Sequence, residues 1–293
     1  MQTLDALQKR IQTTGDLLGV VKTMKSLAAV NIRHFERAAR SLTEYAEVVE
    51  QGWAVLFRSG ELTLPAGRET RALILVVGSD QGMCGQFNEL ATRAALQEGD
   101  RIVGKGLDVA YWSAGDRIRI GLEDAGRVVV KHFSIPGTLG GVNLMVEGLV
   151  PHLAEWYRSG QGRFHVVHNA EGEREGYAPL VHNVLPLDKD WEEKVTAAPW
   201  PSRCLPQTYL PTEVLFAGLF EQHLFASLYG ALVRSMAAEN AARLAAMQAA
   251  EKNIEDMRAH LQMTFHQIRQ DSITGELLDI VSGFEAMTKQ AGR

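Results

Sequence analysis

Residues 4–35 read LDALQKRIQTTGDLLGVVKTMKSLAAVNIRHF, and apolar side chains recur along this stretch in alternating steps of three and four residues. The same spacing continues to residue 56, and only Thr14 and Lys25 interrupt its apolar character. An apolar repeat of about 3.5 residues is typical of a coiled coil. We therefore predict one long helix over residues 1–60. The repeat positions are Leu4, Leu7, Ile11, Thr14, Leu18, Val21, Lys25, Ala28, Ile32, Phe35, Ala39, Leu42, Ala46, Val49, Trp53 and Leu56.

The last third of the chain predicts a second, longer helix over residues 207–290. Residues 212–289 contain no proline and are rich in Ala, Leu, Met, Glu and Arg, which are good helix formers. We expect this helix to pair antiparallel with the first and to overhang it, so that other subunits must cover its apolar end. The 3-4 repeat runs through Ile254, Met257, Leu261, Thr264 and Ile268, slips by one residue, and resumes at Ile273, Leu277, Ile280, Phe284 and Met287.

The middle of the chain alternates between strand and helix patterns over residues 70–190. This alternation predicts an α/β (Rossmann-like) domain with a mainly parallel sheet. The proline-rich segment 188–211 reads as a linker. The predicted fold is therefore an α/β insert flanked by two long terminal helices that form an antiparallel coiled coil. The strand-like segments are 72–77, 109–112, 128–130, 164–167 and 180–187, and the helical ones are 87–96 and 142–157.

Composition excludes several classes of protein. The 293 residues carry 30 Lys and Arg against 35 Asp and Glu, and a net charge of −5 disfavours a general nucleic-acid binder. Two cysteines cannot build a disulfide framework. The start of the chain lacks the pattern of a signal peptide, and the apolar runs are too short to span a bilayer. We expect a soluble, cytoplasmic protein.

The glycine-rich loop Gly78–Gly85, GSDQGMCG, follows the first predicted strand and is the most enzyme-like feature. It matches neither the G-x-G-x-x-G pattern nor a P-loop, and the P-loop lysine is missing. We expect a tight structural turn here in preference to a phosphate site. Cys84 is a candidate nucleophile, but a small buried thiol is the favoured interpretation.

Three histidines flank or occupy the predicted hairpin strands: His165, His168 and His182. They could form a zinc site across the hairpin, but outward-facing polar positions are the favoured interpretation. No pair of carboxylates lies in a recognisable catalytic arrangement. We expect no cofactor, no metal and no catalytic residue.

The first helix carries a local excess of positive charge. Between residues 9 and 40 there are seven basic residues against two acidic ones. This basic stripe is either a solvated outer face or a surface for an acidic protein partner. Lys25 lies at a seam position, which indicates a polar neighbour. The basic residues are Lys9, Arg10, Lys22, Lys25, Arg33, Arg37 and Arg40.

Four segments resemble motifs of the gamma subunit of rotary F-type ATP synthases. Residues 21–29, VKTMKSLAA, are similar to that family's early-helix motif, and residues 79–85, SDQGMCG, to its S-D-R-G-L-C-G. Residues 235–247 and 269–283 resemble its two C-terminal motifs. The motifs occur in the family's order. Departures such as Gln81 and Gly275 indicate a divergent branch.

The resemblance implies a noncatalytic central rotor shaft. In that family the paired helices stand inside a hexamer of alpha and beta subunits, and the α/β insert lies near the membrane c-ring. It also implies an epsilon partner and a place on the cytoplasmic face of the bacterial inner membrane. The positions that would contact beta subunits are Lys22, Met24, Lys25, Arg243, Arg269, Gln270, Thr274 and Glu276. The positions that would lie in the apical bearing, a hydrophobic collar, are Ile280, Phe284 and Met287.

A different class of protein remains as the alternative. A stand-alone α/β nucleotide-binding enzyme could carry the two long helices as a coiled-coil dimerisation hairpin. Such an enzyme would bind a nucleotide by itself, whereas a rotor subunit would copurify with alpha and beta.

Overall fold

A computed structural model describes residues 3–60, 62, 70–160, 162–172, 176–187, 189–200, 202–204 and 206–291, with side chains up to residue 282. The chain divides into two compact units. One unit is Ala28–Leu244, and the other joins Met1–Leu27 to Ala245–Arg293. The predicted segments 1–60, 70–190 and 207–290 remain a prediction as domain boundaries.

The elements alternate between helix and strand in the middle of the chain, as the sequence predicts. In chain order they are α1 (Leu4–Arg58), β1 (Arg71–Val77), α2 (Phe87–Val103), β2 (Asp108–Ala114), α3 (Asp116–Asp124), β3 (Val129–Phe133), α4 (Leu139–Arg158), β4 (Arg163–Ala170), β5 (Ala178–Leu185), α5 (Lys189–Ala197) and α6 (Thr212–Ala291). Long first and last helices flank an α/β sheet, which confirms the predicted fold.

The seam of α1 follows the predicted repeat. Each of the sixteen repeat positions from Leu4 to Leu56 is buried or half-buried, whereas Leu17, Val20 and Leu27 between them are exposed. The burial pattern confirms that the 3-4 spacing marks the face on which α1 packs.

Within the unit Ala28–Leu244, the first and last helices run antiparallel. Asn31 of α1 contacts Asn240 of α6, and Tyr45 contacts Gln222 further along. As the residue number rises on α1 it falls on α6, which confirms the predicted direction of pairing.

In the other unit, α6 shows a different phase from the one predicted. Met257 is 57% exposed, and Arg258 is half-buried in its place. The prediction for Met257 is wrong because the half-buried face of α6 advances by four residues from Ile254 to Arg258 and then by three residues to Leu261. The half-buried side ends at Ile268, and every described residue from 269 to 282 is exposed.

The five strands form one sheet in the order β3-β2-β1-β4-β5. The first four strands are parallel, and β5 pairs antiparallel with β4. The central strand β1 is buried on both faces, as parallel strands covered by helices usually are. Leu73 and Leu75 pack with α4 and α6, whereas Ile74 and Val76 pack with α2 and α3.

Two short helices were not predicted. The nine-residue α5 lies in the segment 188–211 that the sequence assigns to a linker, so that assignment is wrong for its first half. Trp191 and Val195 of α5 pack against Trp53 and Phe57 of α1, and this aromatic contact holds the helix. Helix α3 is equally short, and buries Ile118 and Leu122. None of the described helices has the length and apolarity to cross a membrane.

Candidate functional site

The unit that joins the start of α1 to the end of α6 carries a compact charge cluster. Lys25 Nζ donates to Glu251 Oε2, and Lys22 Nζ lies 3.7 Å from Glu251 Oε1 and 3.4 Å from Glu255 Oε1. The hydrogen bond from Lys25 lowers the pKa of the Glu251 carboxyl. Two lysines therefore face two glutamates of the same chain.

This cluster explains the lysine at a seam position. Lys25 requires a polar neighbour there, and Glu251 supplies it from the same chain. The predicted beta-subunit contact of Lys22, Met24 and Lys25 stays a prediction. Lys22 is half exposed at its side chain, Lys25 is one-third exposed, and Met24 is half-buried. A partner would meet a locally neutral surface here, not two free cations.

Every described residue of α6 from Arg269 to Ser282 is exposed. The exposed side chains include Ile273 at 48%, Leu277 at 58% and Ile280 at 65%. Apolar side chains at this spacing on a bare helix mark a surface that another protein covers. We call residues 269–282 the bare segment.

The polar residues predicted for the beta contact lie at the start of the bare segment. Arg269, Gln270, Thr274 and Glu276 are all exposed. Thr274 Oγ1 donates to the carbonyl of Gln270 at 2.9 Å, an intrahelical bond that leaves its outer side open. The side chains of Phe284 and Met287 lie outside the described residues, so their place in a collar stays a prediction.

Arg243 belongs to the other unit and is largely covered. Its side chain is 12% exposed, and Nη2 donates to Glu239 Oε1 at 2.6 Å. Burial raises the pKa of the Glu239 carboxyl, and Arg243 opposes that rise. Both residues line a polar cavity of about 270 Å³ with Asp80 and Asn240. Arg243 thus balances a buried carboxylate and offers little surface to a partner, and its contact with a beta subunit stays a prediction.

The other basic residues of the stripe differ in whether an acidic side chain lies close to them. In the unit Ala28–Leu244, Arg40 lies 3.8 Å from Glu36. Among the described residues, Arg33 and Arg37 have no ion-pair partner, and they line a shallow basic recess on α1 with Val30. The free positive charge of this unit's part of the stripe therefore lies at Arg33 and Arg37.

The glycine-rich loop Gly78–Gly85 is a structural turn. Ser79 N donates to Asn88 Oδ1 at 3.0 Å, and Asn88 Nδ2 donates to Ser79 Oγ at 2.8 Å. A Cβ atom on Gly78 would lie 2.3 Å from Ile118 Cγ1, so close packing requires glycine there. The structural interpretation of this loop is confirmed.

The loop also ties the neighbouring strand ends together through one carboxylate. Asp116 N, at the start of α3, donates to Asp80 Oδ1, and Ile135 N donates to Oδ2, both at 3.0 Å. An acidic side chain at a helix N-terminus is favourable to the helix dipole. Asp80 therefore occupies one amide at the start of α3 and one just beyond β3 that an anionic ligand would otherwise use.

Helix α6 covers the edge of the sheet where doubly wound folds usually bind ligands. In such folds the ligand lies beyond the carboxyl ends of the strands, where the strand order reverses. Here Cys84 and Phe87, at the start of α2, are buried against Ala238 and Ala242 of α6. Cys84 is 1% exposed, and burial raises the pKa of its thiol. The buried-thiol interpretation is confirmed.

The three hairpin histidines do not converge. His168 and His182 lie on the same face of the β4–β5 pair, whereas His165 faces the other layer, where its Nδ1 is 3.5 Å from Glu98 Oε1. His165 and His168 are each 3% exposed, so the prediction of outward positions is wrong for both. The described residues contain no group of His, Cys, Asp or Glu placed to hold a metal ion.

Sequence reasoning missed two acidic residues of the charge cluster. Glu251 and Glu255 are four residues apart on α6 and so share a face of the helix. That spacing could have been matched to Lys22 and Lys25, which lie three residues apart. Pairing these lysines with these glutamates requires knowledge of which residues of α1 lie opposite which residues of α6, and the apolar repeat does not determine that.

Together these features define a helical-hairpin α/β protein whose last helix ends in a bare apolar segment, a subunit built to be completed by other chains. The family model described as ATP synthase matches residues 3–287, so the chain belongs to this ATP synthase family. Curated relatives carry the name ATP synthase gamma chain. The relative from Polynucleobacter necessarius subsp. necessarius (strain STIR1) is 24% identical over 98% of this chain and 100% of its own length. The relative from Granulibacter bethesdensis (strain ATCC BAA-1260 / CGDNIH1) is 28% identical with the same coverage.

Solved structures share the fold. A chain of the Euglena gracilis mitochondrial ATP synthase, described with OSCP, F1 and c-ring, has a TM-score of 0.61 at 15% identity and covers 97% of this chain and 94% of its own length. A chain of the Tetrahymena thermophila mitochondrial ATP synthase central stalk and c-ring has a TM-score of 0.55 at 17% identity. It covers 79% of this chain and 99% of its own length.

Proposed function

We propose that the chain is the gamma subunit and noncatalytic central rotor shaft of an F-type ATP synthase. In this role it couples ion flow through the membrane c-ring to conformational change at the catalytic sites of the beta subunits. Family membership and the gamma-chain names of the relatives support the subunit. The Euglena gracilis relative described as a rotor, with a TM-score of 0.59, supports the shaft.

The observation that carries this proposal is the bare segment of α6. Residues 269–282 are exposed throughout, yet they include Ile273, Leu277 and Ile280 on one side of the helix. Exposure of these three apolar side chains to water is unfavourable, since burying each side chain fully contributes about 1.5–3 kcal/mol relative to exposure. A surrounding ring of alpha and beta subunits would cover the row and still permit rotation, because smooth apolar contacts are not directional.

The proposed contacts with beta subunits fall into two groups. Arg269, Gln270, Thr274 and Glu276 offer exposed polar atoms at the start of the bare segment. Lys22 and Lys25 form the second group. We expect them to bind an acidic segment of a beta subunit while they remain paired with Glu251 and Glu255. We expect the epsilon subunit and the c-ring as further partners, and a location on the cytoplasmic face of the bacterial inner membrane.

The stand-alone enzyme remains the alternative, and the geometry of the loop disfavours it. Asp80 already occupies amides at the strand ends, and α6 covers the start of α2. Calorimetric titration of the full chain with ATP separates the two functions. A rotor subunit is expected to show no binding, whereas micromolar binding that is lost in Gly82→Val would support the enzyme.

Coexpression with the alpha and beta subunits tests the proposal directly. Size-exclusion chromatography should recover this chain in a complex with three alpha and three beta subunits. A variant that lacks residues 280–293 should assemble more weakly and retain some ATP hydrolysis, since the proposed catalytic sites are on beta. Elution of the full chain as a separate dimer would contradict the proposal.

A charge swap separates the two roles of the lysines. In Lys25→Glu with Glu251→Lys, the pair between positions 25 and 251 is restored with reversed polarity, and Lys22 keeps Glu255 as its partner. The contact of position 25 with an acidic segment of a beta subunit becomes repulsive. Like charges at an interface are costly and change both affinity and salt dependence. We expect the swapped variant to assemble and to lose coupled rotation. Wild-type coupling in the swap would show that Lys25 serves the chain alone.

A further inference from the structure

Two histidines are enclosed where α6 packs on β4 and β5, in the unit Ala28–Leu244. His168 of β4 is 3% exposed, and its Nδ1 lies 3.0 Å from the carbonyl of Asn169. His223 of α6 is half-buried, is hydrogen bonded to the backbone of Val184 on β5, and stacks edge-on against Trp191 at 5.3 Å. The His223 imidazole therefore joins α6 to β5, whereas His168 is bonded within its own strand and is buried beneath α6.

The two rings line one cavity of about 390 Å³. Of the other charged or titratable side chains that line it, Arg234 comes from α6, Glu50 from α1 and His182 from β5. A proton on His168 would add a positive charge close to Arg234. Glu50 is the one carboxylate among these lining residues, so it cannot balance Arg234 and two imidazolium ions together.

The chemistry of the two histidines limits which ligands this cavity can bind. No group among the described residues is placed to hold a metal ion, so a zinc or copper site is not supported. The ligand that two enclosed neutral imidazoles can still take is a proton. Burial lowers the pKa of His168 to about 4, with Arg234 and His182 adding to the effect, and burial lowers that of His223 to about 4, with His182 adding.

We propose that His168 and His223 form a proton-sensitive lock that fastens α6 to the β4–β5 edge at neutral pH and releases it in mild acid. A released state exposes both rings to water, where an imidazole binds a proton near pH 6.5. Acid therefore favours release. The contribution of the lock is fully present above about pH 6.5 and is lost as the pH falls toward 4. This inference does not depend on the proposed rotor function.

Hydrogen exchange measured by mass spectrometry on the full chain tests the lock. After correction for the intrinsic exchange rate, the opening constant of β5 amides should rise about twentyfold per histidine between pH 7 and pH 5. Amides of β1 and β2 in the same unit serve as the internal reference, since the lock does not hold those strands. The double variant His168→Gln with His223→Gln should reduce the pH dependence at β5 to the part that His182 contributes, since burial also lowers the pKa of His182.

A matched control replaces two exposed histidines, in the variant His34→Gln with His260→Gln, and should leave the wild-type pH profile intact. An unchanged pH profile in the His168 and His223 double variant would overturn the proposal. If that variant does not fold, imidazole NMR titration of the wild-type chain decides. Both rings should titrate below pH 5, and ordinary values between 6 and 7 would refute the lock.

Discussion

Replacing Ile273, Leu277 and Ile280 together by serine should weaken assembly with alpha and beta strongly and leave the chain itself stable. These side chains are between 48% and 65% exposed, so the burial energy of the exposed part is available to a partner. Scaled by these exposures, burial in a collar contributes about 1–2 kcal/mol per side chain. The triple variant should therefore lose about 3–6 kcal/mol of binding free energy, roughly a 10²- to 10⁴-fold rise in Kd.

The assay is titration of alpha-beta hexamers with the labelled full-length chain, alongside thermal unfolding of the free chain. Serine has a helix propensity close to that of isoleucine, so the helix should persist. The matched control is Leu261→Ser, which lies on the half-buried side of α6 and should lower the chain's own unfolding temperature. Wild-type affinity in the triple variant would refute the idea that the bare segment is a covered bearing.

Three further predictions concern the rest of the chain. Reversing Lys22 and Lys25 to Glu should reduce ATP-driven rotation and make the residual activity salt-sensitive; equal rotation at low salt would assign the lysines to a solvated face. Asp80→Ala should leave two amides without an acceptor and lower the free energy of unfolding in urea by about 3–6 kcal/mol, because hydrogen bonds to charged groups are worth about 1.5–3 kcal/mol each; an unchanged midpoint would contradict this role of Asp80. Iodoacetamide should modify the exposed Cys204 quickly and Cys84 slowly, since burial raises the pKa of the Cys84 thiol; rapid labelling of Cys84 would show that the loop opens.

The sequence predicted most completely the elements whose apolar repeat is long, and the short strands followed from their apolar runs. The seam of α1 from Leu4 to Leu56 repeats often enough for its burial to follow from spacing alone. The helix α5 is different, because nine residues between prolines carry too few repeats to reveal a helix. Its stability comes from Trp191 against the aromatic side chains of α1, and that contact is tertiary.

Part of the candidate site could be predicted because its apolar residues also follow a regular spacing. The apolar row of the bare segment is visible as spacing, and its exposure follows from a second helix longer than the first. The ion-pair partners of Lys22 and Lys25 depend on register between helices more than 200 residues apart in sequence. The enclosed His168 depends on which face of the sheet α6 covers, and the pattern of a hairpin strand does not reveal that.

Single-molecule observation of the assembled complex shows directly whether this chain turns inside the alpha-beta hexamer. The natural Cys204 is exposed and can carry the probe, while the buried Cys84 is protected from labelling. With the alpha-beta hexamer fixed to a surface and ATP supplied, we expect the probe on this chain to rotate in one direction in discrete steps. ATP hydrolysis by an intact complex whose probe does not rotate would contradict the proposed rotor function.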